Sequence, residues 1–207
     1  FSSQDRERNF TVYQMIKVHN EIFKGRKTNI IEFGVDRGGT LTTISKFVKD
    51  SSEIYALDSF GFFSDDIKSN VTKYDPHYLG TYRPFTKKTR FKNFNYLALE
   101  KQLNEILIKK ESNLNIIKCY FPEKIDDEIL KKISSIKYSF VHVDFDLYKP
   151  TLDVIKFVIP RLEKNAIILL DDYNLINQEG VKWAVRDSGV NISKCIQTQS
   201  GQLICYT

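Results

Sequence analysis

The sequence predicts an α/β fold: a seven-stranded sheet with helices on both faces, closed at its end by an antiparallel hairpin. Three observations predict it. Short apolar runs alternate with segments of helical periodicity from residue 29 to residue 188. Several of these runs end in glycine or in carboxylates, as strands do when their carboxyl ends line a ligand crevice. The last two runs, 191–197 and 202–206, are separated only by a short turn containing Ser200 and Gly201, so they must pair antiparallel.

Taken in order, residues 4–24 place Phe10, Tyr13, Ile16, Val18 and Phe23 at loose helical spacing, and Gly25 supplies a stop, so an amphipathic helix leads in. A strand at 29–34 passes through a glycine turn into a helix at about 40–49, and a second strand follows at 53–58. After an insertion come a helix at about 97–111, a strand at 114–119, a helix at about 126–133 and a strand at 138–144. A helix from Pro150 to Arg161, a strand at 166–171 and a helix at about 177–188 complete the alternation before the hairpin. Alternation of this kind means parallel strands joined by crossover helices. Five parallel strands followed by a terminal hairpin is the usual layout of class I, Rossmann-like methyltransferases, and a dinucleotide dehydrogenase is not expected to end this way.

The bulk properties suit a single domain over residues 1–207 with an ample core, at 42% hydrophobic content. No apolar stretch approaches the ~20 residues that cross a bilayer, and the polar start FSSQDRERNF is not a signal peptide. The expectation is a cytoplasmic protein with no membrane partner. An opening Phe in place of Met is consistent with a chain trimmed from a longer one. Cys119, Cys195 and Cys205 are odd in number and lack metal-ligand spacing, so reduced, mostly buried thiols are expected rather than disulfides or a zinc site.

The net charge of +5 is small but unevenly placed. Residues 67–96 hold Lys68, Lys73, Arg83, Lys87, Lys88, Arg90 and Lys92 against Asp75 alone, a net +6, so everything else carries −1. The excess is too localised for a nucleic-acid footprint, and no nucleic-acid-binding motif accompanies it. It suits attraction of a small anionic substrate, with Lys87, Lys88 and Arg90 as candidate contacts. The same region, 59–96, is rich in aromatic rings from Phe60 to Tyr96 and fits no regular element, so it reads as a lid over the site. A homo-oligomer contact is the alternative reading, and for the basic residues a solvated surface loop is the other.

Two acidic clusters carry most of the chemistry: Asp144 and Asp146 in FVHVDFDLY, and Asp171 and Asp172 in AIILLDDYN. Each closes an apolar run and so falls at the carboxyl end of a strand. Neighbouring strands lie about 4.8 Å apart, close enough for Asp144 and one or both of Asp171 and Asp172 to share an ion. With no Cys in reach and His142 expected to point away in a structural role, the oxygen-rich set suits Mg²⁺, Mn²⁺ or Ca²⁺ better than zinc. Strand alternation would turn Asp146 the same way as Asp144. The plainer alternative is that these aspartates only cap helices and form turns. His19, on the lead-in helix, is read as structural, and nothing fixes the geometry of His77 in the lid.

The segment IIEFGVDRGGT, residues 30–40, is a strand entering a glycine turn that opens a helix, where the backbone must bend sharply and come close to a ligand. Its glycines, Gly34, Gly38 and Gly39, do not match G-x-G-x-x-G, which argues against NAD. The next strand ends at Asp58, 24 residues beyond Gly34, where a carboxylate can accept hydrogen bonds from both hydroxyls of a ribose. Together these point to an adenosine-containing cofactor.

On EFGVDRGGT (32–40), LDSFGFF (57–63), VDFDLYKPTLDVIKFVIPRL (143–162), AIILLDDYN (166–174) and GVKWAV (180–185), the chain resembles the macrocin and mycinamicin sugar O-methyltransferases, the TylF/MycF family. The resemblance spans about residues 28–187. It implies S-adenosylmethionine and a divalent cation, Mg²⁺ or Mn²⁺, as cofactors. It implies that Glu32, Gly34 and Gly38 hold the methionine part of the cofactor, that Asp58 holds the ribose, and that Tyr120 and Phe121 lie near the adenine. Metal ligation falls to Asp144, Asp171 and Asp172 and the general base to Asp144; Asp146 and Tyr148, in the same block, are candidate substrate contacts. Where the family has Gly before the aromatic pair, this chain has Cys119. The implied substrate is a small molecule, a sugar or a nucleotide-linked sugar. Two other classes stay open: a nucleotide-sugar oxidoreductase, which hydride transfer with NAD(P) would reveal, and a catalytically silent binding protein of the same fold.

Overall fold

The computed structural model describes residues 3–49, 51–61, 71–76, 93–176 and 178–207. The chain runs α1 (Ser3–Ile22), β1 (Thr28–Phe33), α2 (Gly39–Phe47), β2 (Ser52–Asp58), α3 (Tyr96–Leu107), β3 (Asn113–Lys118), α4 (Asp127–Ser134), β4 (Tyr138–Val143), α5 (Tyr148–Val158), β5 (Leu162–Leu170), α6 (Glu179–Asp187), β6 (Cys195–Gln197) and β7 (Leu203–Tyr206). The strands form one seven-stranded sheet in the order β3-β2-β1-β4-β5-β7-β6. β1 to β5 are parallel, and β7 is antiparallel to both β5 and β6. The order reverses beside β1, between β2 and β4, and the carboxyl ends of the strands at such a switch point are where open α/β sheets hold ligands.

Strand β4, YSFVHV, is buried at every position, as a central parallel strand covered on both faces must be. Alternate residues serve two cores. Ile30, Ile54, Phe140 and Ile167 pack with Val12 and Ile16 of α1, Leu41 and Ile44 of α2, and Leu103 and Leu107 of α3. Their neighbours Ile31, Tyr55, Val141 and Ile168 pack on the other side with Ile133 of α4, Val154 and Val158 of α5, and Val181 and Val185 of α6.

Helix ends are satisfied by named groups. Asp126 accepts N–H bonds from Glu128 and Ile129 to start α4. The Lys110 ammonium donates to the carbonyls of Ser45, Lys46 and Val48 and closes α2. Helix α5 begins at Leu147, whose side chain cannot cap. Asp75, a buried residue of the insertion, does it instead: one oxygen accepts the Tyr148 N–H at 2.8 Å and the other is held by the N–H and hydroxyl of Thr72.

The predicted elements are present, with two shifts. β5 starts at Leu162 rather than 166, because Leu162 pairs with Tyr138 before a register irregularity at which Asn165 takes a left-handed backbone, φ 66°. β6 covers only 195–197, because Asn191 caps a short 3₁₀ turn over Ile192–Lys194.

The cysteine expectation is corrected. Cys195 and Cys205 are joined by a disulfide, with Cα atoms 4.2 Å apart, and only Cys119 is free and buried. The pairing follows from register: the hairpin sets Cys195 directly opposite Cys205. Among the described residues, no helix is long and apolar enough to cross a membrane.

Candidate active site

The turn after β1 is held open by a carboxylate. Asp58, at the end of β2, accepts the backbone N–H of Val35 at 2.7 Å and of Asp36 at 2.8 Å on one oxygen, and that of Phe60 at 2.7 Å on the other. Burial pushes its pKa up, and the three N–H bonds offset this only in part. The singly bonded oxygen keeps a free acceptor position. Gly34, at φ 87°, leaves no room for a side chain, since a Cβ there would lie 1.9 Å from the Asp144 carbonyl oxygen. The glycine therefore lets the two strand ends close together. Gly38, at φ 80°, opens α2, and a Cβ there would meet Leu99.

Beneath this turn Glu32 of β1 and His142 of β4 stand opposite each other in register. Their side chains meet at 3.0 Å, Glu32 Oε1 to His142 Nδ1, and both are fully buried. The other imidazole nitrogen lies 3.6 Å from Asp171. Burial works against a charged imidazole, but the carboxylates of Asp171 and Glu32 outweigh it and hold the His142 pKa well above its ordinary value. Burial likewise raises Glu32, whereas His142 and a donated bond from Gln202 pull Asp171 below the usual range despite its burial. The second Glu32 oxygen is buried with no hydrogen-bond partner among the described residues.

The acidic residues separate into two groups. Carboxylate oxygens of Asp144, Asp146 and Asp172 lie within 4.8 Å of one another. Asp171 turns instead to His142 and Gln202. Asp146 joins the cluster by a route other than alternation, because β4 ends at Val143 and Asp146 sits in a left-handed turn at φ 60°. Asp172 is left-handed as well, at φ 62°, a conformation that Asp tolerates better than most residues. Burial, then the charges of Asp172, Asp171 and Asp146, push the Asp144 pKa well above its ordinary value.

Three partners of this edge had no obvious mark in the sequence. Arg8 of α1 forms an ion pair with Asp172, Gln178 donates to Asp146 at 2.6 Å, and Gln202 reaches Asp171 from the β6–β7 turn. Arg8 did leave one signal. It lies one helical turn before Val12 and Ile16, so a charged residue continues the buried stripe of α1.

The remaining candidates are spread out. Phe121 is buried against Phe33 and Phe157, which leaves Tyr120 as the more exposed ring of the pair, close to Gly61. Tyr148 packs on Tyr74 with ring centroids 4.4 Å apart and donates its hydroxyl to Asp187, while Tyr74 also approaches Trp183. Lys87, Lys88, Arg90 and His77 lie outside the described residues. His19 is structural, bonded to Ser139 at 2.9 Å in the core. A separate depression of about 320 Å³, lined by Glu53, Asn104, Ile108 and Asn113, lies by the amino ends of β2 and β3, away from these groups.

No protein-family model matches the sequence, and no curated protein sequence does. Solved structures do match. The calicheamicin methyltransferase CalS11 shares 18% identity over 95% of this chain and 79% of its own, with a TM-score of 0.64. An apo structure of CalS11, a TDP-rhamnose 3′-O-methyltransferase, gives a TM-score of 0.54. The O-methyltransferase NovP shares 17% identity over 96% of this chain and 78% of its own, at a TM-score of 0.57. An O-methyltransferase from Bacillus cereus in complex with SAH matches over all of this chain and 82% of its own, at 9% identity and a TM-score of 0.52. The sheet order, the terminal hairpin and these likenesses together show that the chain has the class I, Rossmann-like methyltransferase fold.

Proposed function

We propose that the chain is an S-adenosylmethionine-dependent, divalent-cation-dependent O-methyltransferase acting on a sugar hydroxyl. The observation that carries the reading is the set of three carboxylates, Asp144, Asp146 and Asp172, at the sheet edge near the point where the strand order reverses. Three oxygen donors with no sulfur or imidazole among them fit a hard cation such as Mg²⁺ or Mn²⁺. The raised pKa of Asp144 fits too, since Arg8 and His142 balance only part of the negative charge gathered there. The sequence resemblance implies Asp171 as a ligand as well, but its carboxylate faces His142 and Gln202, so we assign the inner positions to Asp144, Asp146 and Asp172.

The cofactor cradle is equally consistent. Asp58 keeps an acceptor for a ribose hydroxyl while pinning the turn at Val35 and Asp36. Gly34 and Gly38 let the backbone approach, and the unpartnered oxygen of Glu32 lies below as an acceptor for a donor group. Tyr120 is the ring available to an adenine. When bound, S-adenosylmethionine supplies the activated methyl group, and the cation lowers the pKa of a bound hydroxyl.

What the protein contributes is position and proton transfer. Asp144, held by its N–H to the Phe33 carbonyl at 2.8 Å, sits between the cofactor turn and the acidic cluster and would take the hydroxyl proton. Methyl transfer needs oxygen, carbon and sulfur in line, and the adjoining ends of β1 and β4 bring the glycine turn and Asp144 together at one edge. CalS11 acts on a TDP-linked sugar. A nucleotide-linked sugar is the acceptor class we propose here, with the basic insertion, including Lys87, Lys88 and Arg90, to meet its phosphates. The test is incubation with S-adenosylmethionine, Mg²⁺ and a panel of free and nucleotide-linked sugars, read by mass spectrometry. A gain of one methyl group, lost on chelation, is expected; no methylation of any sugar would overturn the reading.

A further inference from the structure

We propose that Arg8 occupies part of the cation's place, so that loading the site with a divalent cation releases the first turns of α1 from Asp172. The inference rests on the cation reading above and assigns that site its regulation.

Arg8 is 164 positions from Asp172 in sequence, yet its guanidinium pairs with Asp172 Oδ1, on a carboxylate that also belongs to the three-acid cluster. The Arg8 side chain is 18% exposed and that of Asp172 only 3%. Burial works against the guanidinium charge, but Asp172, Asp171 and Asp144 outweigh it, so Arg8 belongs electrostatically to the whole cluster. One positive charge already stands where a second, doubly charged ion would have to come. Like charges sharing one carboxylate repel strongly in a partly dry site, so the two compete.

The contact is also built to let go. Among the described residues the buried Arg8 Nε has no hydrogen-bond partner, so the guanidinium is incompletely satisfied by them. Val12 is the first buried residue of α1 among those whose side chains are described. The turn before it is tied to the sheet edge by the Arg8–Asp172 pair, while Asn9 accepts a long bond from Thr43 of α2 at 3.5 Å. Lose the pair, and that turn has little core to keep it in place.

The experiment titrates the full chain with Mn²⁺ alone, read by electron paramagnetic resonance, in wild type, Arg8→Gln and Asp144→Asn. Arg8→Gln should bind Mn²⁺ about tenfold more tightly than wild type, because the competing charge is gone. In wild type, saturation with Mn²⁺ should speed hydrogen exchange in the amides of residues 6–11. In Arg8→Gln that exchange should be fast from the start and unmoved by Mn²⁺. Equal or weaker Mn²⁺ affinity in Arg8→Gln, or slower exchange on loading, would overturn the proposal. A different failure belongs to the site itself: no Mn²⁺ binding by wild type and Arg8→Gln alike, or undiminished binding by Asp144→Asn, removes the cation reading and this proposal with it.

Discussion

Glu32 and His142 meet side chain to side chain at 3.0 Å in the fully buried interior, across the β1–β4 pair at the centre of the sheet. His142 also faces Asp171, so one imidazole ties the strand that enters the glycine turn to the strand that ends at the acidic cluster. Replacing His142 by Leu leaves two buried carboxylates without their partner. We expect a loss of about 3–5 kcal/mol, the range for breaking a buried pair from one side. Urea denaturation checks it, and a loss below about 1 kcal/mol would mean the three groups are not energetically coupled.

Asp58 holds the turn after β1, and its proposed second task, cofactor binding, separates from the first by measurement. Asp58→Ala should weaken binding of S-adenosylhomocysteine by more than about tenfold, the scale of one or two lost charge-assisted hydrogen bonds. Calorimetry at a temperature well below unfolding is the check. Unchanged affinity would restrict Asp58 to holding the N–H groups of Val35, Asp36 and Phe60.

Asp144 is held at the expense of stability, since it faces the charges of Asp172, Asp171 and Asp146. In the presence of chelator, Asp144→Asn should raise the melting temperature by a few degrees, about 1 kcal/mol, through relief of like-charge repulsion. The same variant should bind cofactor normally and lose turnover. A fall in melting temperature would show that the repulsion is already compensated.

Asp75 should matter to folding although it comes from the insertion. It supplies the cap that Leu147 cannot, bonded to the Tyr148 N–H at 2.8 Å. Asp75→Ala should cost about 1–2 kcal/mol, as lost helix caps do, read as a lower denaturation midpoint. No change in the midpoint would mean that solvent caps α5 equally well.

Cys119 should be chemically silent. Burial, with the nearby Asp58 charge, pushes its thiol up to about 12, so at pH 7–9 it stays protonated. Iodoacetamide should leave the native chain unlabelled across that range. After denaturation one cysteine should react without reductant and three with it, since Cys195 and Cys205 are bonded.

The legible parts of this protein were those written in local pattern. β4 reads as a strand because nearly every residue of YSFVHV is apolar or small, and it is buried throughout. The hairpin was legible because so short a link between β6 and β7 permits only one pairing direction. Asp144 and Asp172 could be placed together because both end neighbouring parallel strands.

What the sequence by itself determined is therefore the order of elements, the two apolar faces of the sheet and the edge at which the carboxylates would gather, since each depends on periods of two or 3.6 residues within a single segment. Only the tertiary structure decided how the carboxylates divide. Asp146 enters the cluster through a left-handed turn, Asp171 leaves it for His142 and Gln202, and Arg8 arrives from the far end of the chain. It also decided the Cys195–Cys205 bond, through hairpin register. The reason is common to all four: a side chain takes whichever partner the packed backbone brings within reach, a hydrogen-bonding or ionic one for the buried polar groups and a facing thiol for the cysteines, and that partner need not be near in sequence.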